Sequence, residues 1–171
     1  TQNPTIGEEW RRNWHAKRIP AKGSEDTVLV VGAGPAGLEA ARALGQRGYT
    51  VTLAEARAEL GGRVARESRL PGLNAWGRVR DWRVGRIQEM ANVEVYLESK
   101  LTSDDVLSFG YNRVILATGA HWRKDGVGVT NWKPIPGADR GHVLAPDHIF
   151  DGKHAFDPVA GPVVVFDDDN F

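Results

Sequence analysis

The 171-residue chain contains no cysteine. That absence excludes a disulfide framework, a redox-active thiol pair and any iron–sulfur ligand within these residues. Long apolar runs are missing too. None approaches the roughly 18 residues that mark a membrane-spanning helix, and the polar start Thr1-Gln-Asn-Pro is not a signal peptide. An excess of either charge is also lacking, since 22 Lys and Arg balance 22 Asp and Glu. No global field therefore recruits nucleic acid, and no nucleic-acid module is legible. The five histidines (His15, His121, His142, His148 and His154) show no metal-ligand spacing. From these absences we expect a cytoplasmic protein with neither a membrane nor a nucleic-acid partner.

What is present suits a packed core: 41% of residues are hydrophobic, in a length fit for one domain with or without pieces of its neighbours. Residues 1–26, with Trp10, Trp14 and the basic Arg11, Arg12, Lys17 and Arg18, read as an irregular lead-in. The chain starts without Met, and the apolar run Val163-Val-Val-Phe166 has no helix after it. The expectation is a segment of a larger protein; the alternative is a domain whose last strand closes its own sheet.

The richest stretch is Val28-Leu-Val-Val-Gly32-Ala-Gly34-Pro-Ala-Gly37-Leu-Glu-Ala-Ala41. Gly32, Gly34 and Gly37 form G-x-G-x-x-G directly between an apolar β-branched run and a helix-forming run, the context that gives this pattern its meaning. Gly32 permits the tight turn, Gly34 lets a pyrophosphate approach the backbone, and Gly37 lets the helix lie close on the sheet. Free N–H groups at the helix N-terminus then face the phosphates.

Apolar periods place the elements around it. Residues 27–31 form a buried strand, and 35–46 a helix with Pro35 in its first turn, ending around Gly45 and Gly48. A second strand spans 49–54. Gly61-Gly62 and Pro71-Gly72 break the chain, and Asn74 is placed to cap a helix running to about Met90. Residues 93–97 alternate as a third strand, Ser103-Asp104-Asp105 opens a short helix, and 114–117 form a further parallel strand. This order implies an α/β fold with a doubly wound, mostly parallel Rossmann-like sheet and right-handed crossovers.

Glu55, at the end of the second strand, is placed to accept hydrogen bonds from both ribose hydroxyls. A carboxylate there repels a ribose 2′-phosphate and disfavours NADP; the plain alternative is a solvated strand-end acid. Gly61-Gly62-Arg63 can bring backbone and a cation to the pyrophosphate, or can be a flexible loop.

These residues, taken with Leu116-Ala117-Thr118-Gly119 and Ile135-Pro136-Gly137, resemble the FAD-binding fold of two-dinucleotide flavoproteins. The segments Gly7-Glu8-Glu9-Trp10-Arg11-Arg12 and Ala117-Thr118-Gly119-Ala120-His121-Trp122 narrow this further. They resemble the trimethylamine, dimethylamine and histamine dehydrogenases, iron–sulfur flavoproteins related to dienoyl-CoA reductase. The resemblance implies an FAD/NAD(P)-binding-type sheet with a small β-meander, spanning residues 27–160 between a barrel-and-cluster domain before it and a following nucleotide-fold domain. Residues 161–171 are expected to be the first strand of that domain, or the crossing to it. Gly32, Gly34, Pro35, Ala36 and Gly37 are expected to line the nucleotide, with Glu55, Ala56, Gly62 and Arg63 beside them. Leu101, Ala117, Thr118, Gly119 and Trp122 complete the expected set.

The resemblance further implies ADP rather than redox-active FAD in this segment, with FMN and a 4Fe-4S cluster elsewhere in the protein. Its implied partners are a small amine substrate in another domain, an electron-transferring flavoprotein as acceptor, and a second copy in a homodimer. No residue of this segment is expected to be catalytic. Reductases of this architecture follow the A-T-G segment with a second glycine-rich turn for NAD(P)H; here stands Asp167-Asp168-Asp169. Like charges about 6 Å apart cost roughly 3 kcal/mol at an effective dielectric of 20, so no NADH or NADPH reduction through this region is expected. Those aspartates also read simply as a loop.

His121 reads more readily as a packing or hydrogen-bonding residue than as an acid–base catalyst. Arg57, Arg63, Arg66, Arg69, Arg78, Arg80, Arg83 and Arg86 crowd one region and read either as a solvated helix face or as a docking face, the latter favoured if Trp76 or Trp82 is exposed. Three readings stand at this point: an ADP-holding domain of an amine dehydrogenase, a working FAD domain of a dienoyl-CoA-reductase-like enzyme, and a self-contained NAD-dependent dehydrogenase.

Overall fold

The computed structural model describes Trp10 and residues 19–150 and 162–167, apart from the side chains at 149 and 150. Most of the expected lead-in, with His15, lies outside the described residues, as do 151–161 with His154, and Asp168 and Asp169. The chain divides into two units, Thr1–Gly119 and Ala120–Phe171.

In the first unit, the β-branched run Thr27–Val31 forms β1 and Thr50–Ala54 forms β2. Val93–Tyr96 forms β3 and Arg113–Leu116 forms β4. All pair in parallel, in the order β3-β2-β1-β4. The chain therefore winds outward from β1 in one direction and then returns to its other side, the doubly wound arrangement expected. Register sorts the side chains. Val28, Val51 and Val93 lie in one row and Val30, Leu53, Val95 and Ile115 in the next. Together with Leu38, Ala41 and Ile87 they build the core.

Leu38 and Ala41 belong to α1, Pro35–Arg47, and Ile87 to α3, Gly77–Gln88. α1 begins with Pro35 and presents Leu38, Ala41 and Gly45 along one buried stripe. Burying a side chain the size of Leu38, fully covered here, stabilises by about 1.5–3 kcal/mol. Gly45 stays inside the helix because a Cβ there would stand 2.4 Å from Val93 Cγ2 and 2.7 Å from Met90 Sδ. Termination falls instead to Gly48, left-handed at φ 94°. Its N–H donates to Gly45 O, while Tyr49 N–H donates to Leu44 O at 3.1 Å, a Schellman-type close.

Three expectations need correction. The helix expected from Asn74 resolves into a single 3-10 turn, Asn74–Trp76, followed by α3, and no side chain caps either. The Gly61-Gly62 break is followed at once by a short helix, α2, Gly62–Glu67. The small β-meander has no counterpart among the described residues; the β3-to-β4 connection carries a short helix, α4, Ser103–Ser108. There the Thr102 hydroxyl accepts from Asp105 N–H and the Asp105 carboxylate accepts from Thr102 N–H, a capping box.

The opposite face of the sheet is more open. Tyr111 reaches it, its hydroxyl donating to Thr52 Oγ1 at 2.7 Å. Val114, Leu116 and Tyr96 on that face remain 41%, 73% and 51% exposed.

The second unit is built from turns. Ile135 N–H donates to Asp125 O, and the Ile135 side chain fills the space over Gly126. Asn131 Nδ2 donates to Gly126 O at 3.0 Å. One turn of helix, α5, Pro146–Phe150, follows. Among the described residues no helix is long and apolar enough to cross a membrane.

Candidate functional site

The return of the chain across β1 creates a crevice at the carboxyl ends of β1 and β4, the position where open α/β sheets take ligands. Three segments converge there. The Gly32 turn is left-handed at φ 98°, and a Cβ on it would meet Ala117 O at 2.4 Å. A Cβ on Gly37 would stand 1.8 Å from Gly32 O and 3.3 Å from Ala117 Cβ. These two glycines are thus required by backbone-on-backbone packing between the loop, α1 and the end of β4. Gly34 differs, because space for a Cβ on it is open to 4 Å. Its Cα instead faces Gly62, whose own Cβ would lie 3.0 Å away.

The second glycine pair is held there by main chain, with Gly61 N–H donating to Ala33 O at 2.8 Å. From behind, Glu59 accepts from Arg80 Nη1 at 2.8 Å and from Arg69 Nη2. A Cβ on Gly61 would collide with Arg80 Cδ at 2.4 Å. This clamp had no signal in the sequence, since Glu59 lies in the loop after β2 and Arg80 in α3, at no regular spacing.

Glu55 is 7% exposed, the one buried charged residue among those described. Its main chain is fixed on both sides, the N–H donating to Tyr96 O and the carbonyl accepting from Ser99 N–H, each at 2.8 Å. Its Oε2 accepts from Ala33 N–H at 2.7 Å and its Oε1 from Arg57 N–H at 3.0 Å. A carboxylate oxygen has two lone pairs, so each oxygen keeps one direction for a further donor.

At the start of α1 no acidic residue occupies the first turn and no side chain caps Gly34. The amides of Ala36 and Gly37 therefore lack intrahelical partners and lie at the positive end of the helix dipole. Open space at Gly34, first-turn amides without intrahelical partners and a carboxylate at the end of β2 together fit an adenine dinucleotide or its ADP half.

The structure brings Gly32, Gly34, Pro35, Ala36, Gly37, Glu55, Gly62, Ala117 and Thr118 into this arrangement. Ala56 is exposed beside Glu55, and Arg63 opens α2 with Nη1 3.7 Å from Glu67 Oε1. Leu101 follows the segment anchored to β2 by Ser99, and Gly119 is left-handed with open space around it. Trp122 belongs to the second unit, 57% exposed, its N–H donating to Asp147 Oδ2 at 2.8 Å. Ile135, Pro136 and Gly137 line a depression there with Arg140 and His142. His121 is also in this unit, Nδ1 3.8 Å from Asp147 Oδ2.

At least five of the eight crowded arginines pair with carboxylates within the chain: Arg63 with Glu67, Arg69 and Arg80 with Glu59, Arg83 with Glu39, Arg86 with Glu89. Trp76 and Trp82 are both exposed, which favours docking, yet the Trp82 ring lies under the guanidinium groups of Arg42 and Arg83, 5.2 and 5.7 Å from its centroid. That pattern fits a solvated, internally neutralised face better than a free basic surface.

A doubly wound sheet with a glycine-rich turn after β1 and a buried carboxylate after β2 defines a dinucleotide-binding α/β domain. Comparison with known proteins specifies it. The chain belongs to the pyridine nucleotide-disulphide oxidoreductase family, whose model matches residues 26–149. It is 45% identical over 162 residues to dimethylamine dehydrogenase of Hyphomicrobium sp. (strain x), covering 91% of this chain and 22% of that protein. An NADH oxidase of Thermoanaerobacter brockii is 35% identical over 120 residues, covering 70% of this chain and 18% of that protein. Histamine dehydrogenase from Rhizobium sp. 4-9 superposes with a TM-score of 0.72 at 62% identity, covering 79% of this chain and 20% of that one. 6-Hydroxypseudooxynicotine amine oxidase from Pseudomonas geniculata N1 gives 0.80 at 54% identity, covering 88% and 23%. The chain thus spans about a fifth of the length of these relatives. The family name notwithstanding, these residues hold no cysteine to form a redox disulphide.

Proposed function

We propose that this chain is the adenine-nucleotide-binding domain of an iron–sulfur flavoprotein amine dehydrogenase, and that it holds ADP. The observation that carries the nucleotide reading is the meeting of Gly34, Gly62 and Glu55 at one strand-end crevice. Identity of 62% and 54% to two amine-oxidising enzymes supports the assignment to that class.

In this reading Gly34 admits the pyrophosphate to the backbone, and the first-turn amides of α1 donate to it. Glu55 accepts from the ribose hydroxyls, and Gly62 with Arg63 closes the other side. Residues 27–160 form the domain, led into by 1–26 and followed by a further nucleotide fold from 161. An FMN in a preceding domain would supply the oxidation of the amine by demethylation or deamination, and a 4Fe-4S cluster would carry the electrons on to an electron-transferring flavoprotein. The present residues bind and orient; they contribute no acid, base or nucleophile.

A second reading, a redox-active FAD domain reducible by NAD(P)H, is favoured by the NADH oxidase relative. Identifying the nucleotide by mass after extraction from the full-length protein separates the two. ADP in stoichiometric amount is expected. Stoichiometric FAD overturns the ADP assignment, and no adenine nucleotide overturns the domain reading itself. Anaerobic NADH is expected to leave the flavin spectrum unchanged.

A further inference from the structure

We infer that Glu55 is a positioning residue for the glycine-rich loop, independently of any contact it makes with ribose. The inference rests on the nucleotide-binding reading above for its functional meaning, but its structural content is separate. A carboxylate 7% exposed must have its charge satisfied inside the protein. Here the satisfaction is supplied by two backbone donors from different segments, Ala33 N–H within the loop after β1 and Arg57 N–H beyond β2. Bonds from N–H to an ionised acceptor are about twice as strong as neutral ones.

The geometry makes this a brace. Glu55 cannot drift, because its own N–H and carbonyl are bonded to Tyr96 and Ser99. Ala33 is the residue between Gly32 and Gly34, and its carbonyl accepts from Gly61 N–H. One residue thus receives the second glycine loop through its oxygen and the carboxylate through its nitrogen. Glu55 fixes the peptide plane between Gly32 and Ala33, and with it the direction from which Gly34 meets a phosphate. A loop held in this way from within the chain costs less ordering when a nucleotide binds.

A glutamine keeps the size of the side chain but has one acceptor oxygen, so it can serve only one of the two donors. The test uses the full-length protein stripped of nucleotide, as wild type and as Glu55→Gln, titrated with ADP and with 2′,3′-dideoxy-ADP. Loss of affinity by about tenfold or more for the dideoxy ligand in the variant is expected, although that ligand has no hydroxyl for Glu55 to hold. Equal dideoxy-ADP affinity in the two proteins overturns the inference and leaves Glu55 a ribose contact alone.

If wild type binds neither ligand, the nucleotide reading fails, and amide hydrogen exchange still decides the brace. Of the Ala33 and Arg57 amides, the one that the single glutamine oxygen gives up should exchange at least tenfold faster in the variant, while that of Gly32, which donates to Ala54 O at 2.8 Å, stays unchanged. Unaltered exchange at both Ala33 and Arg57 sinks the inference. Glu55→Asp, which keeps the charge but is one methylene shorter, gives the same comparison if the glutamine variant does not accumulate as folded protein.

Discussion

Gly34 and Gly37 sit three residues apart in one motif and answer to different physics. At Gly37 a methyl group would fall 1.8 Å from Gly32 O, so the start of α1 and the β1 turn must separate to admit it. Gly37→Ala is expected to destabilise the domain by about 3 kcal/mol, read as a lowered denaturation midpoint. Gly34 has φ −68° and open space, so Gly34→Ala should keep stability within about 1 kcal/mol. Its methyl group points where a phosphate would come, and ADP affinity should fall at least tenfold by calorimetry. A variant that loses stability and not affinity contradicts this division.

Asp125, in the second unit, shows the same economy with charge. Hydrogen bonds from Arg123, aided by the Val127 amide, hold its carboxyl down to about 2. A depressed acid contributes stability that is complete above its ordinary range and is lost as pH falls through its folded value. The Asp125 turn should therefore keep its order to lower pH than a free aspartate would allow. Arg123→Ala should return the carboxyl toward the ordinary 3.8, an upward move visible by carboxyl-carbon NMR titration.

Elements, more than residues, separate what could be read in the chain from what could not. β1, α1 and β2 were legible because their apolar periods are strong and their ends carry Pro35 and Gly48, each with a local physical role. Gly32, Gly37 and Glu55 were legible because a strand–turn–helix of this kind leaves few residue types able to fill them. α2 was hidden, since Gly61-Gly62 is a breaker in isolation and a helix start only once Gly61 N–H is bonded to Ala33 O. The β-meander expectation came from resemblance, and no local pattern between β3 and β4 supported it. The clamp behind the second glycine loop was hidden for a further reason: ion pairs between distant elements leave no period.

That clamp makes its own prediction. Glu59 is partly exposed and serves two arginines, and such pairs are worth a few tenths to 1 kcal/mol each. Glu59→Gln should thus cost only about 1 kcal/mol in stability. It should speed nucleotide release more than it slows association, because the loop it holds packs on Gly34. Stopped-flow displacement of a fluorescent ADP analogue measures both rates.

At the scale of the whole molecule, nucleotide and fold are linked. A ligand bound only by the native state at a thousand times its dissociation constant adds about 4 kcal/mol. Stripping ADP from the full-length protein should therefore accelerate amide exchange throughout β1 and β4, the strands at whose carboxyl ends the crevice lies, and readdition should restore it. Exchange that ignores the nucleotide would mean that it binds elsewhere.

The uncovered side of the sheet has a practical meaning as well. β4 is an edge strand, and its Leu116 and Val114 stand 73% and 41% exposed, while Val163, Val164 and Val165 in the second unit are 65%, 90% and 84% exposed. Edge strands with apolar surface recruit other chains unless something covers or charges them. Expressed as this segment alone, the polypeptide should therefore self-associate with rising concentration, and light scattering should report it. Leu116→Lys, a charge on that edge, should suppress much of the scattering. An apolar edge that a neighbouring element would bury is, left bare, a solubility defect.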